Sequence, residues 1–540
     1  MCGIFGISTN KDFNHHLIMK FINSLNHRGP DDNGYFKYQS NVLGMTRLSI
    51  QDVSNGNQPM YNAKKNLCIV FNGEIYNHLE LRLKLESKGF NFVTNSDTET
   101  ILKGFEYWKE DILFKLRGMY AFAIFNKFDN SIFIARDRIG IKPLYYYNIN
   151  NEFVFSSELK TILLYPSLNK EIEQTSIYNY LSLRYVPGNN TMFKTIKKFP
   201  AGCFGYWKNK NLEIKRYWHY RNENKWEGNF NEAQLEFNST FDKSVNIRML
   251  SERPVGAFLS GGIDSTAIVS SISKQTSTKL NTFSVGFDWK GDELKIAAET
   301  AKKLNTEHHE VICNIDDTKL LPKIMWHLDE PIGDGIILPM HLLSKLASHH
   351  VTVVQSGEGA DEILGGYLMH KIMYMSSIYT KLVPQKVDDF MINPLLKRLP
   401  VFLLNLFFDY PGSLGNDGKN KFIRFFKLTR SNNKQELFEF LISLFEKEEM
   451  LKLVKSSNDN IMNKKNFDFK NGNILDFQYE NWLPDDILCK LDKLTMANSI
   501  EGRVPFMDHK LVELVNSFPL HYKLKLFKNK IPIRNYLKNN

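Results

Sequence analysis

Cysteine is scarce in this chain. Five residues among 540 (Cys2, Cys68, Cys203, Cys313 and Cys489) are scattered, odd in number and form no CxxC pair. That excludes a disulfide framework and a zinc ribbon, and it fits a reducing compartment. Long apolar runs are missing too. The most membrane-like stretch, LPVFLLNLFF at 399–408, falls far short of the roughly 20 residues a bilayer span needs and reads as a buried helix. Residues 1–9 are apolar but lack a basic flank and a cleavage site, so no secretory signal is read and a cytoplasmic location is expected. The net charge is +10, from 69 basic and 59 acidic residues. The bases are interleaved with acids and form no dense stripe. No nucleic-acid partner and no stable membrane insertion are therefore expected, whereas small anionic substrates are compatible. Neither a Walker GxxxxGK[ST] loop nor a GxGxxG loop occurs, which sets the chain apart from kinase-type and dehydrogenase-type nucleotide binders.

What is present is a long, globular composition: 43% hydrophobic and 24% charged residues, enough for two or three domains with large cores. The first 205 or so residues read as strand-rich. Apolar runs such as NLCIVF (66–71), MYAFAIF (119–125) and SIFIA (131–135) alternate with Asn, Asp and Gly turns, as in a mixed α+β sandwich with much antiparallel sheet. SDTETILKGFEYWKEDILFKL carries a cap and helical spacing, and HLELRLKLES (78–87) is read as helix on propensity. The polar stretch RNENKWEGNFNE (221–232) marks a linker. Beyond it the pattern becomes strand–loop–helix, with strands in RPVGAFL, LNTFSVGF (280–287) and HHVTVVQ (349–355). That alternation predicts a parallel sheet flanked by helices. Residues 371–480 read as mostly helical.

Two loops carry chemistry. In FLSGGIDST (258–266), Ser260, Gly261 and Gly262 sit where a strand turns into a helix, so backbone N–H groups can approach a pyrophosphate at the helix N-terminus. Ser265 adds a hydroxyl, and Asp264 suits a bridging Mg²⁺. Alone, the stretch reads equally well as a glycine turn with a helix cap at Ser260 or Asp264. The second loop, QSGEGADEILGGY (355–367), also follows an apolar strand and offers Glu358, Asp361 and Glu362. Both loops then lie at the carboxyl edge of one sheet, where open α/β sheets bind ligands. Asp264 and Asp361 form a carboxylate pair fit for Mg²⁺–ATP, and Glu358 is placed to polarise a substrate group.

The N-terminal MCGIFGIST raises a separate question. On its own, Cys2 reads as a cysteine at the end of a buried strand. Were Met1 removed, Cys2 would carry both a thiol and a free α-amino group.

Taken with NHRGPDD (26–32), RLSIQD (47–52), FNGEIYN (71–77), SDTE (96–99), RGMYAFAI (117–124), ARDRIGIKPLYY (135–146), SSELK (156–160), LSGGIDS, SVGF, GEGADE and EGRVPFMD (501–508), the chain closely resembles the glutamine-hydrolysing asparagine synthetases. The resemblance implies an Ntn-type class II glutaminase domain (1–205), a linker (206–235) and an ATP-pyrophosphatase synthetase domain (236–540). It implies that Cys2 attacks the glutamine amide, with Asn72 and Gly73 as oxyanion hole. It further implies that Arg47 holds the substrate α-carboxylate, that Glu74 and Asp97 hold its α-ammonium, and that an apolar tunnel carries ammonia to the second site. There, ATP contacts are expected from Leu259, Ser260, Gly261, Gly262, Asp264, Ser265, Val285, Ser356 and Gly357. Mg²⁺ is expected on Asp264 and Asp361. Glu358 and Lys530 are expected to act in forming and converting an acyl-adenylate. Aspartate is the implied acceptor, with a sugar acid of surface polysaccharide synthesis as the alternative, and a homodimer is compatible. The family's Asp-Arg pair before the methionine-bearing helix reads Asp492-Lys493 here, and the chain ends earlier than many long-form relatives, as a truncated C-terminus would. Two rivals are weighed against this reading. A non-catalytic glutamine sensor is disfavoured by the intact Asp264, Glu358 and Asp361. An amidotransferase making amino sugars or phosphoribosylamine would lack the SGGIDS loop.

Overall fold

The structure, a computed structural model, describes residues 2–220, 225–287, 292–398, 416–430, 434–445, 449, 452–453, 478–525 and 528–538. The N-terminal half stacks two antiparallel sheets. One runs Ile196–Lys198, Tyr145–Ile149, Glu152–Ser156, Cys2–Ser8, Asn41–Arg47, Asp32–Tyr38; the other runs Asn211–Arg216, Cys203–Lys208, Ser131–Arg136, Gly118–Asn126, Leu67–Ile75, Met60–Tyr61. Ile4, Leu43, Val70, Ala123, Ile134 and Phe155 fill the space between them. Outside the first sheet, Phe5 and Ile7 pack with Phe21 and Ile22 of the helix His15–Leu25. Outside the second, Phe71 and Phe122 pack with Ile101 and Phe105 of the helix Asp97–Trp108. The order helix, sheet, sheet, helix explains why Cys2–Ser8 is buried at every position. With both faces covered, a strand needs no apolar–polar alternation.

HLELRLKLES forms a helix, His78–Glu86. The segment FNKFDNSIFIARD is a hairpin between Gly118–Asn126 and Ser131–Arg136. The second sheet continues past residue 205 through Arg216. The polar stretch read as a linker ends inside a helix, Phe230–Ile247. Asn229 accepts from the Asn231 and Glu232 amides while the Glu232 carboxylate accepts from the Asn229 N–H at 2.9 Å. Its polar residues are a capping box, a helix start signal that a composition-based reading of linkers passes over.

The C-terminal half is built on a wholly parallel sheet ordered Glu307–Ile312, Asn281–Gly286, Val255–Phe258, Val353–Gln355, Glu501–Arg503. Strand order reverses on either side of Val255–Phe258, so the loops after Val255–Phe258 and Val353–Gln355 flank the switch point. Helices cover this sheet, among them Ile263–Gln275, Ile337–Ser348 and Leu488–Met496. The predicted helical region is seen at Leu368–Leu382, Asn416–Arg430 and Lys434–Ile442; LPVFLLNLFF lies outside the described residues. Among the described residues no helix is long and apolar enough to cross a membrane.

The two halves meet over a shared core, to which Tyr76, Met119, Ile139 and Ile141 contribute from the N-terminal side. A buried lattice of charges lies beside it. Arg28 donates to Glu158 at 3.1 Å and to Asp492 at 2.8 Å. Asp492 also accepts from Lys142 at 3.1 Å. Asp329 accepts from Lys493 at 2.5 Å and from the amides of Leu159 and Lys160. Burial opposes ionisation of Asp492, but Arg28 and Lys142 outweigh it and hold the carboxyl below its usual range.

Asp492→Ala would leave Arg28 short of one partner and Lys142 with no carboxylate, both in a dry interface. A loss of about 3–5 kcal/mol is expected, read as a lower urea midpoint at unchanged m-value.

Candidate functional site

Two sites emerge, one in each half. The first begins at Cys2, the opening residue of the first strand, paired in register with Arg47. Its backbone N–H donates to Asn72 Oδ1 at 3.1 Å. Asn72 is fully buried, and its Nδ2 has no partner. An amide donor with nothing to donate to, next to a thiol, is a preformed place for an oxyanion. Gly73 follows on the same strand. A Cβ there would fall 2.1 Å from the Met119 carbonyl oxygen, so the close pairing with Gly118–Asn126 requires glycine. Burial pushes the Cys2 thiol up, against the pull of nearby positive charge and of the Leu48 amide.

Arg47 is held by the loop it precedes, donating to the carbonyls of Gln51 (3.2 Å), Asp52 (2.7 Å) and Val53 (3.3 Å) and to Asn57 Oδ1 (3.1 Å). Glu74 and Asp97 complete the cluster. Asp97 begins the helix capped by Ser96 and accepts from the Ile75 N–H at 2.9 Å. Burial raises Asp97 to about 6 despite that bond. Burial, then the Asp97 charge, raises Glu74 well above the carboxylate range. Two buried carboxylates that resist ionisation are the environment an ammonium group would relieve.

Sequence reading missed two partners of Glu74. Gln51 Nε2 donates to Oε1, and Arg503, from the other half, donates to Oε2 at 3.4 Å. Both lie in stretches already singled out, RLSIQD and EGRVPFMD, but nothing in those strings tells which distant carboxylate they reach.

The second site sits at the carboxyl edge of the parallel sheet. Leu259 is buried, its N–H bonded to the Phe283 carbonyl at 2.9 Å, and Val285 lies on the neighbouring strand. The Ser260–Ser265 loop closes on itself: Ser260 N–H donates to Ser265 Oγ and Gly262 N–H to Ser260 Oγ, both at 3.1 Å. No side chain caps the helix Ile263–Gln275, so its first amides point outward. The second loop touches the first. A Cβ on Gly357 would meet the Ser265 nitrogen at 3.1 Å and Asp264 Cβ at 3.2 Å, and the Ser356 N–H is bonded to the Arg503 carbonyl at 2.8 Å.

Lys530 joins the two aspartates, its Nζ lying 2.5 Å from Asp264 Oδ2 and 2.6 Å from Asp361 Oδ1. Gly366 lies tight against this triad; a Cβ there would be 1.8 Å from Asp361 Oδ1 and 2.1 Å from Lys530 Cε. Asp264 Oδ1 remains buried without a partner. Among the described residues no group of three or more His, Cys, Asp or Glu could hold a metal. Two carboxylates with an unpartnered oxygen still fit Mg²⁺, which commonly takes one or two protein carboxylates and completes its shell with phosphate and water. Burial lifts Glu358 to about 7, with Lys490 opposing and Asp361 and Asp264 adding to the rise. Burial also lifts Glu362 to about 8, although the Tyr367 hydroxyl donates to it at 2.5 Å.

Family models match both halves: one described as a glutamine amidotransferase domain over residues 1–218, and one described as asparagine synthase over residues 236–539. The chain is 36% identical to asparagine synthetase [glutamine-hydrolyzing] 1 of Bacillus subtilis, over 97% of this chain and 82% of that protein. It is 32% identical to a putative asparagine synthetase [glutamine-hydrolyzing] of Mycobacterium tuberculosis, over 95% of this chain and 80% of that protein. It is 38% identical to a putative asparagine synthetase [glutamine-hydrolyzing] 2 of Methanocaldococcus jannaschii, over 71% and 78% respectively.

Glu362 yields a stability test. An unfolded glutamate titrates near 4.3, so a native value of about 8 means the folded protein binds the proton more tightly. Stability is therefore lost as pH rises towards that value. Between about pH 6 and about pH 8 the wild type should lose roughly 2 kcal/mol more than Glu362→Gln, seen as a steeper fall of its thermal midpoint in the absence of ligands.

Proposed function

This chain belongs to the family of glutamine-hydrolysing asparagine synthetases, and from that premise we propose that it transfers the amide nitrogen of glutamine to aspartate at the expense of ATP. The observation that carries the proposal is the meeting of Asp264, Asp361 and Lys530 at a parallel sheet's carboxyl edge, in a chain whose first strand sets Cys2 against Asn72. The division into a glutaminase domain (1–205) and a synthetase domain (236–540) is part of the same proposal.

With Met1 removed, the Cys2 nitrogen that now donates to Asn72 Oδ1 becomes an α-amino group. It takes the proton from Sγ, and the thiolate attacks the glutamine γ-carbonyl. Asn72 Nδ2 and the Gly73 N–H receive the oxyanion. The amino group returns the proton to the leaving nitrogen, and water then releases glutamate from the thioester. Arg47 pairs with the substrate's α-carboxylate, while Glu74 and Asp97 take its α-ammonium.

In the second site the Ser260–Ser265 loop, Ser356 and Gly357 bind the phosphates of ATP, with Leu259 and Val285 beside the adenosine. Asp264 and Asp361 would hold a Mg²⁺ ion, which when bound would neutralise charge on the pyrophosphate. Lys530 provides a fixed positive charge at the same place. Glu358, with a pKa raised to about 7, is matched to proton transfer at neutral pH when ammonia displaces AMP from the acyl-adenylate.

Pyrophosphate release, with glutamine as nitrogen donor, should be stimulated by aspartate. Stimulation by a uronic acid and not by aspartate would reassign the acceptor to a sugar acid. Cys2→Ala should abolish glutamine-dependent synthesis, by about 10³-fold or more, and retain synthesis from ammonium salts. Loss of both in a folded variant would contradict two separate sites.

A further inference from the structure

Arg503 belongs to the last strand of the parallel sheet, yet its side chain ends in the other half of the molecule. The residue is fully buried. Its Nε donates to Glu501 Oε1, and its Nη1 donates to the carbonyls of Arg248 and Leu250, each at 2.7 Å. Those bonds fix the plane of the guanidinium. Nη2, with no freedom left, points at Glu74 Oε2. Glu74 receives Gln51 on its other oxygen. The main chain of Arg503 meanwhile accepts from the Ser356 N–H, where the 356–358 loop begins. One residue thus holds a carboxylate of the first site with its side chain and the root of the second site's loop with its backbone.

The charge balance gives this contact a role. The Asp97 and Glu501 charges both raise Glu74, and the Glu501 charge raises Asp97. Arg503 is the principal charge acting to keep Glu74 ionised against burial and Asp97. A bound ammonium group would act on Glu74 in the same sense as Arg503, against burial and the Asp97 charge.

We propose that Arg503 is a positioning residue for glutamine binding, supplied by the synthetase half, that holds the Glu74 carboxyl group oriented for the substrate's α-ammonium group. This rests on the two-site reading above. It makes glutamine affinity a property of both halves together, because the strand that delivers Arg503 also anchors the second site's loop.

The test is glutamine hydrolysis by the full chain. In Arg503→Met, KM for glutamine should rise about tenfold or more, the scale of one lost charge-assisted hydrogen bond, with kcat changed less than about threefold. In a Glu74→Gln background the same substitution should change kcat/KM less than about twofold, because the carboxyl group that Arg503 orients is already gone. Arg503→Lys, which keeps the charge but not the fork, should fall between wild type and Met. It also serves in the same cycle if the Met variant does not fold. An equal loss of kcat/KM in both backgrounds, or a fall in kcat at unchanged KM, overturns the proposal and leaves Arg503 a scaffold residue. Absence of Cys2-dependent hydrolysis in the wild type would instead overturn the two-site reading itself.

Discussion

The structure depends on a set of charges removed from water between the two halves. Arg28, Glu158, Asp492, Lys142, Asp329 and Lys493 are all essentially inaccessible. Each would be costly to bury alone. They are tolerable because each carboxylate answers to more than one cation and each cation to a carboxylate or carbonyl. Such a lattice is a weak source of net stability but a strict source of registry. A slide of one half against the other by a single side-chain length would strand several buried charges at once. The shared apolar core, to which Met119 and Ile141 contribute, supplies adhesion without direction, and the charges supply the direction.

Registry matters because the first site is not self-contained. The first borrows Arg503 from the parallel sheet. Glu252, at the edge of the C-terminal half, accepts from the amides of Asp52 and Val53, the same loop whose carbonyls hold Arg47. The second site is stitched by Lys530, a residue from the far end of the chain, lying between two loops more than 160 positions upstream. The first site therefore reads the state of the assembled molecule, whereas the second is assembled within its own half.

Much of this was legible in the sequence, for identifiable reasons. Strand–loop–helix alternation placed Ser260–Ser265 and Ser356–Glu358 at one sheet edge, because parallel strands connected by helices leave their carboxyl ends together. Hairpin and cap signals are local, so the Gly118–Arg136 hairpin and the Ser96 cap were readable. The polar 221–232 stretch misled at its end for a similar reason: Asn229 and Glu232 are as polar as linker residues but work as a cap. What stayed hidden were contacts set by tertiary register. Arg28, Lys142, Glu158 and Arg503 all sit in motifs that looked significant, yet their partners lie from 130 to 464 positions away. No periodicity encodes such distances.

The strand Glu501–Arg503 has one further consequence. It closes the parallel sheet on one side and, among the described residues, pairs only with Val353–Gln355. Beyond it lie Arg248, Leu250 and Glu74, while Leu48 and Ile50 pack with Val353 and Met496 close by. The N-terminal half is thus also a cover for an open sheet edge, the feature by which parallel-sheet proteins most readily recruit foreign strands. A C-terminal half made alone would present that edge together with Asp492 stripped of Arg28 and Lys142. Self-association during synthesis would then compete with folding until the partner half arrived. In a chain translated from its N-terminus the cover is made first, so the order of the two halves along the gene is also a safe order of folding.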